Sequence, residues 1–438
     1  MRPDDLILVS VDDHVVEPPD MFERHLPPQW KSKAPRVVRK KDGSDVWVFA
    51  GEQIVNIGLN AVVGRPPEEY GMEPTAFEQL RRGTYDVHER IRDMNVNGVL
   101  ASLCFPSFPG LCGALFARQQ DKTLAHVVLR AYNDWHIDEW CGTYPGRFIP
   151  LALLPLWDPK LMADEVRRVA KKGCHAVSFS ERPEELGFPS IHSEHWDPFW
   201  TACADEGTVV CVHIGSGGGM KFTSMDAPVD VMIAVTPILS VSFAADLLWS
   251  RVLKKFPVRF ALSEGGIGWI PYFLERADYV HEHHHAWTHQ DFGGRLPSEV
   301  WREHVLTCFI DDAVGIRNRH AVGIDTIAWE CDYPHSDTTW PKSPERLAKS
   351  LEGVPDDEVA KITHENALRW FRFDAFRHRP KERCTAAALR AESPDVDVTP
   401  RSIPGGKPPT YDLGRPVTTK DITEQLASVY ATMPEMPD

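Results

Sequence analysis

Leu6-Ile7-Leu8-Val9-Ser10-Val11-Asp12-Asp13-His14 opens the chain with an apolar, β-branched run that stops on three ligand-type side chains. A run of this length bounded by polar residues is a strand buried on both faces. A doubly wound nucleotide-binding sheet would continue into a glycine-rich turn. Here Val11 leads into Asp12, Asp13 and His14 instead. After this first run (6–11), seven more follow at 97–105, 147–154, 174–179, 208–214, 258–263, 304–310 and 326–331. Helical patterns separate them at 121–141, 158–172, 196–206, 231–256, 269–285, 312–320, 343–352 and 356–371. Asp158-Pro159 suits an N-cap and first turn, and Gly207 suits a helix end. Strands buried on both faces and joined by helices make a parallel sheet, and eight such units close into a distorted (β/α)8 TIM barrel.

Two segments fall outside that alternation. Residues 15–95, rich in Pro, Gly and charge, read as a long insertion after strand 1, with a small hairpin around 46–49 and a role as lid or pocket wall. The barrel then spans 1–373. The Pro-rich stretch 374–438 is a C-terminal extension without the apolar content for a core of its own, expected to pack on the barrel or to carry a dimer contact.

The 438 residues carry 48 Lys+Arg against 63 Asp+Glu, a net charge of −15, which argues against binding a nucleic-acid backbone. Hydrophobic residues at 42% and charged residues at 25% exclude a disordered chain. No segment holds the roughly 18 apolar residues of a membrane span. The acidic start Met1-Arg2-Pro3-Asp4-Asp5 has no apolar leader core, so a cytoplasmic location is expected. Nine scattered cysteines without a CxxC pair fit a reducing compartment.

The chemistry sits at strand ends. The first strand ends in Asp12-Asp13-His14, the fifth in His213, the sixth in Glu264 and the eighth in Asp332. C-terminal strand ends form the active-site floor of barrel enzymes. Residues two apart on a strand share a face, so Asp12 and His14 point together and Asp13 points away. Converging carboxylates and imidazoles call for a cation, and this mixed N/O set suits zinc, manganese or iron better than calcium or magnesium. Glu330 shares the parity of Asp332 and is expected one layer lower, with no partner evident in the sequence.

The stretches VDDHVVEP (11–18), AYNDWHIDEW (131–140), RFIPLALLPLWDP (147–159), VHIGSGGG (212–219), SEGGIGWIPYFLERAD (263–278), CDYPHSD (331–337) and HENALRWF (364–371) together resemble the amidohydrolase-related family. That branch of the metal-dependent hydrolases includes aminocarboxymuconate semialdehyde, resorcylate and carboxyvanillate decarboxylases. The resemblance covers roughly residues 6–373. It implies that Asp12, His14, His213 and Asp332 bind one divalent metal with a water, and that Asp332 also shuttles a proton. The family's decarboxylases usually carry a histidine on strand six, where this chain reads Ser263-Glu264-Gly265. Glu264 is therefore expected as an additional metal ligand or base, with His335 positioning substrate. The implied function is a metal-dependent hydrolase or non-oxidative decarboxylase acting on a small-molecule substrate. A carboxylate-rich site also admits a dinuclear iron or manganese oxygenase, or a non-catalytic partner subunit of one. A homodimer, or pairing with a homologous chain, is the expected assembly.

Other motifs read more plainly. His281-Glu282-His283-His284-His285, with His289, reads as a solvated segment after the sixth helix. Gly215-Ser216-Gly217-Gly218-Gly219 lacks the Lys-Ser/Thr of a phosphate loop and reads as a flexible loop beside His213. Cys104 and Cys112 read as small buried hydrophobes, and Glu17 as an ordinary loop residue.

Overall fold

The computed structural model describes residues 1–55, 57–71, 73–218, 223–403 and 413–424. Gly219 of the glycine-rich stretch, and 404–412 and 425–438 of the tail, lie outside the described residues. The barrel begins with β1 (Leu8–Val15). The insertion folds β2 (Arg36–Arg39), β3 (Asp45–Phe49) and β4 (Glu52–Ile54) into a small antiparallel sheet, one strand more than a hairpin. The barrel continues with β5 (Val99–Pro106), β6 (Phe148–Ile149), β7 (Ala176–Phe179), β8 (Val209–His213), β9 (Arg259–Ser263), β10 (Val305–Phe309) and β11 (Ile327–Trp329). These eight strands form one parallel sheet in the order β6-β5-β1-β11-β10-β9-β8-β7. A bridge between Ala152, three residues past β6, and Val177 of β7 closes the sheet into the barrel.

Several elements differ from expectation for local reasons. The 147–154 run keeps only Phe148–Ile149 and the Ala152 bridge as β structure, because Pro150 and Pro155 offer no N–H to a ladder. The 231–256 helix is broken into Val229–Val235, Ser240–Trp249 and Val252–Lys255, with Pro237 opening a tight turn between the first two. The helix from Lys122 turns into a wider π form over Trp135–Cys141. The insertion also ends sooner than 95. Asp86 caps the helix Val87–Asn97 through the His88 and Glu89 amides, and Gly98, at φ 76°, ends it and turns the chain into β5.

Large side chains outside the strands pack against the helices, and a second apolar set fills the barrel itself. The inner set includes Val9, Val11, Leu103, Phe105, Ile149, Cys211, Ala261, Leu306, Cys308 and Ala328. Trp370, Phe371, Ala375, Cys384 and Leu389 join it. The start of the tail therefore closes the N-terminal end of the barrel. The Ala386 amide donates to the Leu6 carbonyl (2.8 Å), and Arg390 pairs with Glu345. All nine cysteines are free and buried. Among the described residues no single helix is long and apolar enough to cross a membrane.

Candidate metal centre

The floor of the barrel mouth is shaped by an irregularity in β1. Ser10 pairs with Ser102 and Asp13 with Cys104, so Val11 and Asp12 together oppose Leu103. This bulge changes the strand's parity. Val9 and Val11 face the interior, and a regular strand would send Asp13 in next. The extra residue brings in Asp12 and His14 and turns Asp13 outward. There Asp13 accepts from Ser10 Oγ (3.0 Å), Ser102 Oγ and the Tyr333 amide (3.0 Å).

All the residues expected at the site come together. His14 Nε2 lies 3.6 Å from Asp12 Oδ1 and 3.3 Å from Asp332 Oδ1. His213 Nε2 lies 3.4 Å from Asp12 Oδ2 and 3.0 Å from Glu264 Oε2. His335 Nδ1 lies 2.8 Å from Asp332 Oδ1, and its ring lies tilted by 31° against that of His14 with centroids 3.8 Å apart. Two overlapping donor sets result: Asp12, His14 and His213, and His14, Glu264, Asp332 and His335. His213 Nδ1 donates to the Ile214 carbonyl, which leaves the Nε2 lone pair facing inward. Phe105 packs edge-on against the same ring.

Such a cluster is costly as it stands. Both Asp12 oxygens, both His14 nitrogens, His213 Nε2 and His335 Nε2 are buried without a hydrogen-bond partner. Burial, then the charges of Glu330, Glu264 and Asp332, push the Asp12 carboxyl well above its usual range. Burial and the neighbouring imidazoles hold His14 well below the histidine range, so it is neutral and ready to donate a lone pair. For His213 and His335, burial is outweighed by Glu264 and by Asp332 respectively, and both are raised. A divalent cation among these atoms would satisfy the orphaned donors and offset the carboxylate repulsion, so the residues fit a metal.

Backbone strain falls on the same residues. Glu264 (φ 61°) and Asp332 (φ 57°) adopt the left-handed conformation just past the ends of β9 and β11. Such a conformation costs about 1–2 kcal/mol for a residue with a Cβ, and such strain gathers at functional sites. It aims both carboxylates into the mouth rather than along their strands.

Glu330 lies one layer down and has partners that the sequence did not disclose. It accepts from Cys308 Sγ (2.6 Å) and the Glu264 amide (3.1 Å), and burial with the Glu264 and Asp332 charges pushes it up to about 8. Glu17 is not an ordinary loop residue. It is fully buried, braces the Ser107 and Phe108 amides, and is pushed by burial up to about 7. Asp337, at the rim, is pushed up to about 6 by surrounding protein and by Asp332 and Glu264. It stands five residues past Asp332 in the CDYPHSD stretch, which was its only signal. Arg90, on the helix hidden in the insertion range, donates to the carbonyls of His14 and Gly83 and lies over the Tyr333 ring.

Other motifs stay outside the site. His281 to His285 lie on the last turns of the helix Ile270–Thr288, which runs three residues past its expected end, and His289 caps it in a left-handed conformation. Cys112 is buried, donates to the Ser216 carbonyl and is pushed by burial up to about 12.

A protein-family model described as Amidohydrolase matches residues 49–373, which leaves the first-strand Asp12 and His14 outside the match. Among solved structures, an amidohydrolase from Mycobacterium avium subsp. paratuberculosis is similar at 20% identity and a TM-score of 0.64, covering 83% of this chain and 97% of the other. The 5-carboxyvanillate decarboxylase of Sphingomonas paucimobilis is similar at 18% identity and a TM-score of 0.57, covering 84% and 100%. That of Novosphingobium aromaticivorans, complexed with manganese and 4-hydroxy-3-methoxy-5-nitrobenzoic acid, is similar at 18% identity and a TM-score of 0.58, covering 85% and 99%.

Proposed function

Because the chain belongs to the amidohydrolase family, we propose that it is a metal-dependent hydrolase or non-oxidative decarboxylase of a small organic substrate, with Asp12, His14, His213 and Asp332 holding one divalent cation. The observation that carries this reading is the set of buried, unpartnered donor atoms on Asp12, His14 and His213 converging beside Asp332, just past β11. Zinc, manganese and iron all suit mixed nitrogen and carboxylate donors. When bound, such an ion lowers the pKa of water to roughly 7 and polarises a carbonyl or carboxylate.

The chain's own groups supply the rest. Asp332 Oδ1 accepts the proton released as the nucleophile forms and returns it to the leaving group. His335, paired with that oxygen at 2.8 Å, holds the carboxylate in place and stays protonated more readily than a free imidazole. Glu264 Oε2, 3.0 Å from His213 Nε2, would add a carboxylate beside the ion that this nitrogen holds. The site lies at the C-terminal strand ends, where loops control access to water and substrate.

A second reading is favoured by one observation: six donor side chains form two overlapping sets, more than one tetrahedral ion uses. A dinuclear iron or manganese oxygenase would use them all. Elemental analysis of full-length protein from its native host, with turnover assayed with and without O₂, separates the two. About one ion per chain and O₂-independent turnover support the hydrolase or decarboxylase. About two iron or manganese ions with a requirement for O₂ and reductant overturn it in favour of the oxygenase. Full activity after complete metal removal overturns both.

A further inference from the structure

A cavity of about 780 Å³ opens at the end of the barrel opposite the metal centre, where β8, β9 and β10 begin. Its wall carries six charged or titratable side chains: Arg259, Arg369, Arg372, His304, Asp205 and Glu303. The volume lies within the usual range for small-molecule sites. From this wall we infer that the cavity is an anion site, and that it takes a dianionic phosphate group, free or carried on a small molecule. The inference goes beyond the metal reading and does not depend on it.

Charge selects the ligand. The two carboxylates in the wall are held by arginines that lie outside it, Asp205 by Arg167 (3.3 Å) and Glu303 by Arg295. Among the described residues the three wall arginines have no carboxylate partner. Arg369 donates to the Asp325 carbonyl (2.6 Å) and to Asn366 Oδ1 (3.1 Å), and Arg372 donates to the Glu206 carbonyl (3.1 Å). Each of these uses a single Nη, which leaves most of both forks to a ligand. Arg259 makes no hydrogen bond or ion pair among the described residues and lies over the Trp370 ring, 5.6 Å from its centroid. Burial lowers the pKa of its guanidinium, and the charges of Arg369 and Arg372 lower it further. Three guanidiniums gathered in this way repel one another, and a dianion between them removes the repulsion. Their planar forks match the oxygens of a phosphate in pairs.

Helix capping accounts for two of the three arginines at most. The helices Asp197–Glu206 and Asn366–Trp370 end here, and basic side chains suit the carbonyls at a helix C-terminus. Arg372 serves the first of these helices through the Glu206 carbonyl, and Arg369 stands in the last turn of the second. Arg259 does neither, because it opens β9. The chain also makes room for Arg372. Gly207 turns at φ 63°, and a Cβ there would lie 2.8 Å from Arg372 Nη1. His304 adds one more group. Its Nδ1 donates to the Val258 carbonyl (2.7 Å), so Nε2 is the nitrogen left for a phosphate oxygen or hydroxyl. On a chain of net charge −15 a surplus of positive charge inside a concave wall is a local exception that draws anions to it.

The test titrates full-length, Mn²⁺-loaded protein with inorganic phosphate and with phenyl phosphate by calorimetry at fixed ionic strength, with chloride as the control anion. Phosphate is expected to bind with a Kd below about 1 mM. Arg259→Gln and Arg372→Gln are each expected to weaken it about tenfold or more, since each removes charge-assisted bonds. Arg259→Gln should leave the Tm of the phosphate-free protein unchanged or raised, because it relieves repulsion. It should also cut by about half the rise of about 3 °C that phosphate at about 100 times the wild-type Kd gives the wild type. Tighter binding of phenyl phosphate assigns the group to a phosphorylated small molecule, and equal binding assigns it to free phosphate. Absent phosphate binding, or binding untouched by both substitutions, overturns the inference. Binding that survives both substitutions and is lost with Mn²⁺ belongs to the metal centre and overturns it as well. Elemental analysis of the same samples reads Mn²⁺ retention, so a failure of the metal reading is seen separately.

Discussion

Replacing Glu330 with glutamine should stabilise the metal-free protein, and by more as the pH rises. Glu330 is 1% exposed and its acidic form is favoured, with the carboxyl pushed from 4.5 up to about 8. A carboxyl raised in the folded state gives stability that is present below its unfolded value of 4.5 and lost as pH rises through about 8. Relative to a side chain that does not titrate, the cost is about 1 kcal/mol at pH 5 and about 3 kcal/mol at pH 7. Glutamine keeps an oxygen to accept from Cys308 Sγ and the Glu264 amide, so the gap between the two proteins should widen by about 2 kcal/mol between those pH values. For 438 residues the unfolding entropy is about 0.9 kcal/mol per degree, so the gap in Tm widens by about 2 °C. Thermal melts of chelator-treated wild type and Glu330→Gln at pH 5, 6 and 7 measure it. Parallel curves across that range would refute the assignment of a proton to Glu330.

Three further outcomes follow from the same geometry. His213→Ala removes a donor whose free nitrogen faces the site and should weaken Mn²⁺ binding by more than about 100-fold, a larger loss than outer-layer partners give; equilibrium dialysis with elemental analysis would expose an unchanged affinity. Asp332→Asn should lower kcat by about 10²–10⁴ even at saturating Mn²⁺, as expected for a positioned proton carrier; a variant with wild-type turnover removes Asp332 from that role. Asn133→Ala loses three buried hydrogen bonds, to the Leu153 carbonyl (2.9 Å), the Leu153 amide (2.8 Å) and Glu165 Oε1 (2.7 Å), and should destabilise by about 3 kcal/mol in urea titration; a loss below about 1 kcal/mol contradicts that network.

The barrel was legible because its strands are buried on both faces, which writes each as a continuous apolar run. The approach of Asp12, His14, His213, Glu264 and Asp332 was legible from a single positional rule, that ligand-type residues recur at strand ends. What escaped has specific causes. The helix Val87–Asn97 carries Arg90, Asp93, Asn95 and Asn97 on buried positions, so polar residues blur the apolar period that announces a helix. The bulge at Val11–Asp12 leaves no mark in composition. Asp12 and His14 share a face with or without it, and only the register against β5 tells which face that is. The partners of Glu330 come from other strands, Cys308 on β10 and the amide that follows β9, and no spacing along the chain predicts contacts across a sheet.

The metal centre and the seam between the first and last barrel strands are one structure. β1 and β11 share one ladder pair, Ser10 with Trp329, so the seam there depends on polar lacing. The Asp332 amide donates to the Asp12 carbonyl (3.0 Å), the His14 amide to the Tyr333 carbonyl (2.7 Å), and the Cys331 amide to Ser10 Oγ (2.8 Å). Asp13, turned outward by the bulge, holds the Tyr333 amide, and Arg90 ties the His14 carbonyl to the helix behind it. Every bond in this seam therefore fixes the backbone of a donor residue or of its neighbour. Loosening the seam would spread Asp12 and His14 away from Asp332. A cation held by all three would in turn clamp the first strand to the last, so metal affinity and barrel closure draw on the same interactions and must rise and fall together.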